Sequence, residues 1–135
     1  MIKKSYPVHI RFNDIDLVGH VNNAIYISYF EEARIAFFND LMTTKWDWTK
    51  EGTILARPEI DYKVPILLDD EVQIETWVSH IGNKSMEVSY RIVKNDNGNW
   101  VECTVGKSIV VCFNYKENKT IAVPEKWRNA LMEGA

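Results

Sequence analysis

The chain has 135 residues, 46% of them apolar, with five Trp, six Tyr and five Phe, enough to fill the core of one domain spanning 1–135 and too apolar for a disordered chain. Its formal net charge is -3 and its Lys and Arg residues are scattered, so the basic stripe that a nucleic-acid backbone demands is missing. The opening MIKKSYPVHI lacks the apolar heart of a signal peptide, and no run approaches the roughly 20 apolar residues that cross a bilayer; a soluble, cytoplasmic chain with no membrane contact is expected.

Tyr6, Val8, Ile10 and Phe12 alternate with polar or small neighbours, the period of a half-buried strand running to about Phe12. A polar segment, DIDLVGHVNN, follows. Tyr26, Phe30, Ala33, Phe37 and Leu41 then recur at steps of three and four, with Ile25, Tyr29 and Ala36 widening the face, which predicts one long helix over about 22–42. Its solvent stripe, Ser28, Glu31, Glu32 and Asn39, is thin, so the helix must be wrapped on several sides. Beyond KWDWTKEG come four β-rich runs at about 53–64, 70–81, 85–94 and 99–113, separated by turn chemistry at PILLDD, IGNKS and NDNGN, the last with an Asn-Gly pair suited to a tight hairpin. Val72, Ile74, Thr76 and Val78 alternate with Glu71, Gln73, Glu75 and Trp77, giving that strand one buried and one wetter face. Gly106 inside the last run marks a bulge. Pro124 opens a short helix, EKWRNALM. Cys103 and Cys112 fit no common zinc or redox spacing and read as reduced packing thiols.

Strand, long helix, then four antiparallel strands makes an α+β chain in which one curved sheet encloses one apolar helix. Such a sheet leaves an edge and a face uncovered, and a second copy is a natural way to hide them, so a homodimer at least is expected. Chemistry is expected where the polar segment meets the helix, because the first N–H groups of a helix have no internal acceptor and carry a partial positive charge.

Residues 14–34, of the form D-x-D-x-x-G-H-V-N-N-x-x-Y-x-x-Y-F-E-x-A-R, resemble the signature of hotdog-fold acyl-CoA thioesterases of the 4-hydroxybenzoyl-CoA thioesterase type. ARPEIDYKVPILLDDEVQIET and HIGNKSMEVSYRI resemble the strands and turn that follow it in that family. The resemblance implies a curved antiparallel sheet around a central helix, and a homodimer or homotetramer with its site between subunits. Water would cleave an acyl-CoA to a free acid and coenzyme A, with no metal and no cofactor beyond the substrate's own coenzyme. Asp16 falls at the acid that acts on the thioester, and Asn23 at the residue whose backbone N–H polarises the carbonyl. A preorganised amide at that oxygen contributes roughly 3 kcal/mol to a tetrahedral transition state. The carboxylate either attacks the carbonyl or deprotonates water. The turn Gly82, Asn83, Lys84 and Ser85 falls where relatives hold coenzyme A, with Lys84 facing a phosphate. Two readings stand for the pocket candidates: Tyr26, with Tyr29, Phe30 and Phe37, either lines an acyl tunnel or, as aromatic residues at helical spacing more often do, fills the core, and Arg57 and Pro58 either shape the acyl pocket or, the favoured reading, pack.

Each residue also has a plainer reading. Asp16 suits a helix cap or turn, as Asp14 does, and Asn22 and Asn23 suit capping. His20 either orients water or substrate, or fixes the loop. Glu31 and Glu32 lie on the solvent stripe, with Arg34 spaced to pair with Glu31. Two other functions fit the same residues: hydrolysis of acyl groups carried on acyl-carrier protein, and a non-catalytic dimer that binds acyl thioesters.

Overall fold

The computed structural model of the chain describes residues 2–42 and 46–133. In chain order they form β1 (Lys4–Val8), two 3-10 turns (Phe12–Asp14 and Asn23–Ile25), α1 (Tyr26–Leu41), β2 (Glu51–Tyr62), β3 (Val72–Ile81), β4 (Ser85–Asp96), β5 (Asn99–Asn114), β6 (Lys119–Thr120) and α2 (Glu125–Glu133). The strands make one antiparallel sheet in the order β1-β3-β4-β5-β2, with β6 beside the end of β5. It wraps α1 in the hotdog arrangement.

The period-two patterns explain why the sheet has an apolar inner face. Val72, Ile74 and Thr76 of β3 and Met86, Val88, Tyr90 and Ile92 of β4 are buried, and α1 lays Tyr29, Phe30, Ala33, Phe37 and Phe38 onto them. The outer face is charged, carrying a ladder from Lys63 through Glu102 and Arg91 to Glu75. The NDNGN turn behaves as expected: Asn97 and Gly98 take φ of 53° and 93°, the left-handed pair that a two-residue hairpin requires.

Three expectations need correction. β1 stops at Val8 rather than Phe12, because the Asp14 carboxylate accepts a hydrogen bond from Arg11 N at 2.9 Å and winds the chain into a 3-10 turn. Phe12 is left 80% exposed. The α-helix proper begins at Tyr26, after a 3-10 turn capped by Asn22, whose side chain accepts from Ala24 N at 2.9 Å.

Gly106 is not a bulge. It sits in register between Tyr90 and Ile60, and the register shifts fall at Leu55/Arg57 and Ile92/Val93 instead. A Cβ at Gly106 would lie 2.5 Å from the Glu59 carbonyl oxygen and 2.7 Å from the Phe30 ring. The missing side chain leaves room for the Phe30 ring of α1, which stacks on Tyr90 beside it at 4.1 Å.

Candidate active site

The polar segment folds back on itself ahead of α1. Asn22 N donates to Asp14 O at 2.8 Å, Ile15 bridges Val21, and Asp16 N donates to His20 O at 2.8 Å. Gly19 closes the tip with φ of 85°, a conformation in which a side chain would be strained. The segment is moored to the rest of the fold by Val21 N donating to Ile66 O and by the bridge between His20 and Leu67.

The two acids of the motif play different parts. Asp14 is buried, and its Oδ2 accepts from Tyr29 Oη at 2.8 Å as well as from Arg11 N; it ties the loop to the helix, the plainer of its readings. Burial, then the bond to Asp14, drives the Tyr29 hydroxyl far above the usual phenol range. Asp16 is half-buried. Its Oδ1 accepts from Val18 N at 3.1 Å and His20 N at 3.2 Å, so the carboxylate is held in one orientation, while Oδ2 has no hydrogen-bond partner among the described residues. The turn role and a chemical role can therefore share one side chain.

The helix start carries the complementary donor. Ala24 N is taken by the Asn22 side chain and Ile25 N by Asn22 O. Asn23, the first residue of the turn, has no acceptor within the helix, and among the described residues none outside it. Its side chain is exposed and does not cap. Tyr62, at the end of β2, fixes this point by donating to Asn23 O at 2.8 Å and packing edge-on against Tyr26 at 5.0 Å. Sequence reasoning does not single out Tyr62, since its role depends on where β2 ends. His20 contributes backbone contacts, and its imidazole makes no hydrogen bond among the described residues.

The remaining predicted residues are dispersed. Tyr26 takes the core position that its helical spacing favours; it is 3% exposed, and burial pushes its hydroxyl up to about 12. Arg57 and Pro58 lie in mid-strand on the unpaired edge of β2, with Arg57 paired to Glu59 at 2.9 Å. Pro58 suits that edge because it has no N–H to offer a neighbour. Arg34 turns inward instead of making a close pair with Glu31, 4.0 Å away; it donates to Tyr90 Oη at 3.0 Å and Ser108 Oγ at 3.4 Å. Glu32 pairs with Arg11 at 3.1 Å.

The Gly82–Ser85 turn is at the other end of the molecule. It follows the last residue of β3, whereas the loop bridged to His20 precedes the first. Ten residues of β3 at about 3.3 Å each separate them by roughly 30 Å. The turn is closed by Gly82 N donating to Ser85 O and braced through Asn83 O by Val123 N and through Gly82 O by Arg128 Nη2 at 2.8 Å. Lys84 is exposed, with Nζ 3.4 Å from Thr120 Oγ1. Arg128, a second cation at this turn, has no local signal in the sequence.

Residues 10–131 match the family model of the thioesterase-like superfamily. The chain belongs to that superfamily. It is 27% identical over 129 residues to the acyl-CoA thioesterase YbgC of Haemophilus influenzae, covering 93% of this chain and 92% of the relative. A thioesterase from Thermus thermophilus, solved in complex with coenzyme A and Zn, is 31% identical with a TM-score of 0.77 over 94% of this chain and 95% of that one. A 4-hydroxybenzoyl-CoA thioesterase mutant complexed with 4-hydroxybenzoyl-CoA superposes with a TM-score of 0.88 over 96% and 98% of the two chains, at 18% identity, a likeness of fold.

Proposed function

We propose that this thioesterase-superfamily chain hydrolyses acyl-CoA to a free carboxylic acid and coenzyme A, with Asp16 acting at the thioester carbonyl and the Asn23 N–H holding its oxygen. The observation that carries the reading is that one folded-back segment holds both a helix-start N–H and an aspartate Oδ2 without partners among the described residues, the aspartate's Oδ1 being pinned by two amides. As the nucleophile adds to the carbonyl carbon, negative charge builds on the carbonyl oxygen, where a fixed amide and the helix dipole are worth most; the charge returns to re-form the C=O as the C–S bond breaks. The sulfur leaves as the coenzyme thiol after taking a proton. Water supplies the hydroxyl of the acid, either activated directly by Asp16 or attacking a mixed anhydride on it.

The separation between Asp16 and Lys84 supports a site completed by a second chain. If two copies pair antiparallel through the open edge of β2, the Gly82–Ser85 turn of one protomer comes to the Asp16 end of the other, where Lys84 and Ser85 can meet the coenzyme phosphates. That arrangement also covers exposed apolar groups near the edge, Ile54 and Tyr62 among them. The reading is thus an obligate homodimer, alone or paired into a tetramer. Two unpaired, buried cysteines fit a reducing compartment and a cytoplasmic enzyme.

The test is release of free thiol from a panel of acyl-CoAs by the natural chain and by Asp16→Asn. Activity in the natural chain and its loss in the variant is expected. Full activity in Asp16→Asn would overturn the assignment of Asp16, and thiol release from no substrate would overturn the enzymatic reading.

A further inference from the structure

The start of the helix is held by a side chain 39 positions further along the chain. Tyr62, the last residue of β2, pairs with Thr104 of β5 on one side and has the open edge of the sheet on the other. Its hydroxyl donates to Asn23 O at 2.8 Å, and its ring meets Tyr26 edge-on at 5.0 Å. Tyr26 meets Tyr29 in the same way at 6.0 Å, and Tyr29 Oη donates to Asp14 Oδ2. A row of three tyrosines thus runs from the first turn of the helix to the acid that moors the folded-back segment.

Asn23 sits between two holds from outside its own turn. Ahead of it, Asn22 N donates to Asp14 O at 2.8 Å; past its own N–H, the carbonyl of the same residue takes the Tyr62 hydroxyl. Peptide groups are planar, so only φ and ψ of Asn23 lie between its N–H and its C=O. The bonds from Ala24 N to Asn22 Oδ1 and from Ile25 N to Asn22 O are made inside one 3-10 turn, a geometry with poorer hydrogen bonds than an α-helix. They fix the shape of the turn. Tyr62 fixes its aim relative to the sheet.

We propose that Tyr62 is a positioning residue for the hydrolysis: by holding the Asn23 carbonyl, it keeps the N–H of that residue directed at the thioester oxygen. The proposal rests on the acyl-CoA reading of the preceding section and adds a residue from β2, outside the 14–34 motif. A fixed donor helps because it is already aimed when charge appears on the oxygen. With Phe at position 62 the ring contact with Tyr26 remains and the N–H is still present, but the turn is free to tilt. The loss then falls on the transition state and spares substrate binding.

The experiment measures kcat and KM for thiol release, together with melting temperature, in the natural chain, Tyr62→Phe and Tyr6→Phe. Tyr62 is 47% exposed, so losing its hydroxyl opens no core cavity and the variant should fold. Tyr6→Phe is the matched control. It removes a tyrosine hydroxyl bond of the same 2.8 Å, to Asp40 Oδ2 near the far end of α1, from the edge strand on the other side of the sheet. The expected result is kcat lowered by about tenfold in Tyr62→Phe, with KM within about twofold and with kcat unchanged in Tyr6→Phe. An unchanged kcat in Tyr62→Phe, an equal loss in Tyr6→Phe, or a loss confined to KM overturns the positioning role. Failure of the enzymatic reading looks different, because the natural chain then releases no thiol.

Discussion

At its C-terminal end α1 meets Trp46, Trp48 and Trp127 around Phe38, with ring centroids 4.9 to 6.5 Å apart, and Trp127 is fully buried. At its N-terminal end the helix meets a loop with Leu17 and Val18 in solvent and with one carboxylate oxygen of Asp16 and the Asn23 N–H unengaged among the described residues. The first end is built by area, where each ring removes apolar surface from water. The second is built by hydrogen bonds made one at a time, with the two groups that the proposed reading gives to a substrate left unengaged. On the proposed reading, stability and chemistry thus fall at opposite ends of one element, about 24 Å apart for 16 residues.

The sharpest way to test that division is to injure each end separately. Asp16→Asn keeps an oxygen for the Val18 and His20 amides and removes the charge, so thiol release should fall by about 10² to 10⁴-fold with stability changed by less than about 1 kcal/mol. Equal losses in both would mean that Asp16 only holds the turn. Trp127→Ala should do the reverse at the other end. Denaturant unfolding is expected to show a loss of about 3–5 kcal/mol, and thiol release by the fraction still folded should stay near that of the natural chain. A large kcat loss in folded protein would show the two ends to be coupled.

Asp14→Ala blurs the division on purpose, since Asp14 joins the loop to the helix. It leaves the buried Tyr29 hydroxyl and Arg11 N without their acceptor, at a cost of about 1–3 kcal/mol. The loop that carries Asp16 loses its mooring, so kcat/KM should also fall, by roughly tenfold or more. An unchanged kcat/KM would show that the contacts of Val21 and His20 with the 66–67 segment suffice to place Asp16.

What is legible in the sequence follows the same division. The helix, the period-two strands and the Asn-Gly turn are readable because each is set by neighbours in the chain, and so are the caps at Asp14 and Asn22. Gly106 suggests a bulge from its neighbours alone because its actual reason is the Phe30 ring, 76 positions away in the chain. Helix spacing pairs Arg34 with Glu31, yet its hydrogen-bond partners are 56 and 74 residues distant. The motif locates Asp16 and the helix start, but nothing local says that Lys84 lies at the other end of the sheet. That follows only from the strand order, which brings β3 between β1 and β4 and runs it the length of the helix.

The charged outer face offers the smallest test, because it belongs to neither end. Hydrogen bonds from Lys63 and then Arg91 hold the Glu102 carboxyl below the ordinary glutamate range, and Ser79 followed by Lys107 does the same for Glu87. A carboxylate lowered on folding contributes stability that is present above its unfolded value, and loses it as pH falls through its folded value. Unfolding free energy should therefore decline below about pH 4, and Glu102→Gln should flatten that decline. The Glu102 side chain is 30% exposed, so solvent screening limits the effect to less than about 1 kcal/mol. Melting curves between acid and neutral pH would register it. If the ladder serves only the sheet, kcat/KM at neutral pH should not respond to Glu102→Gln, while a response would tie the outer face to the helix through the Gly106 contact.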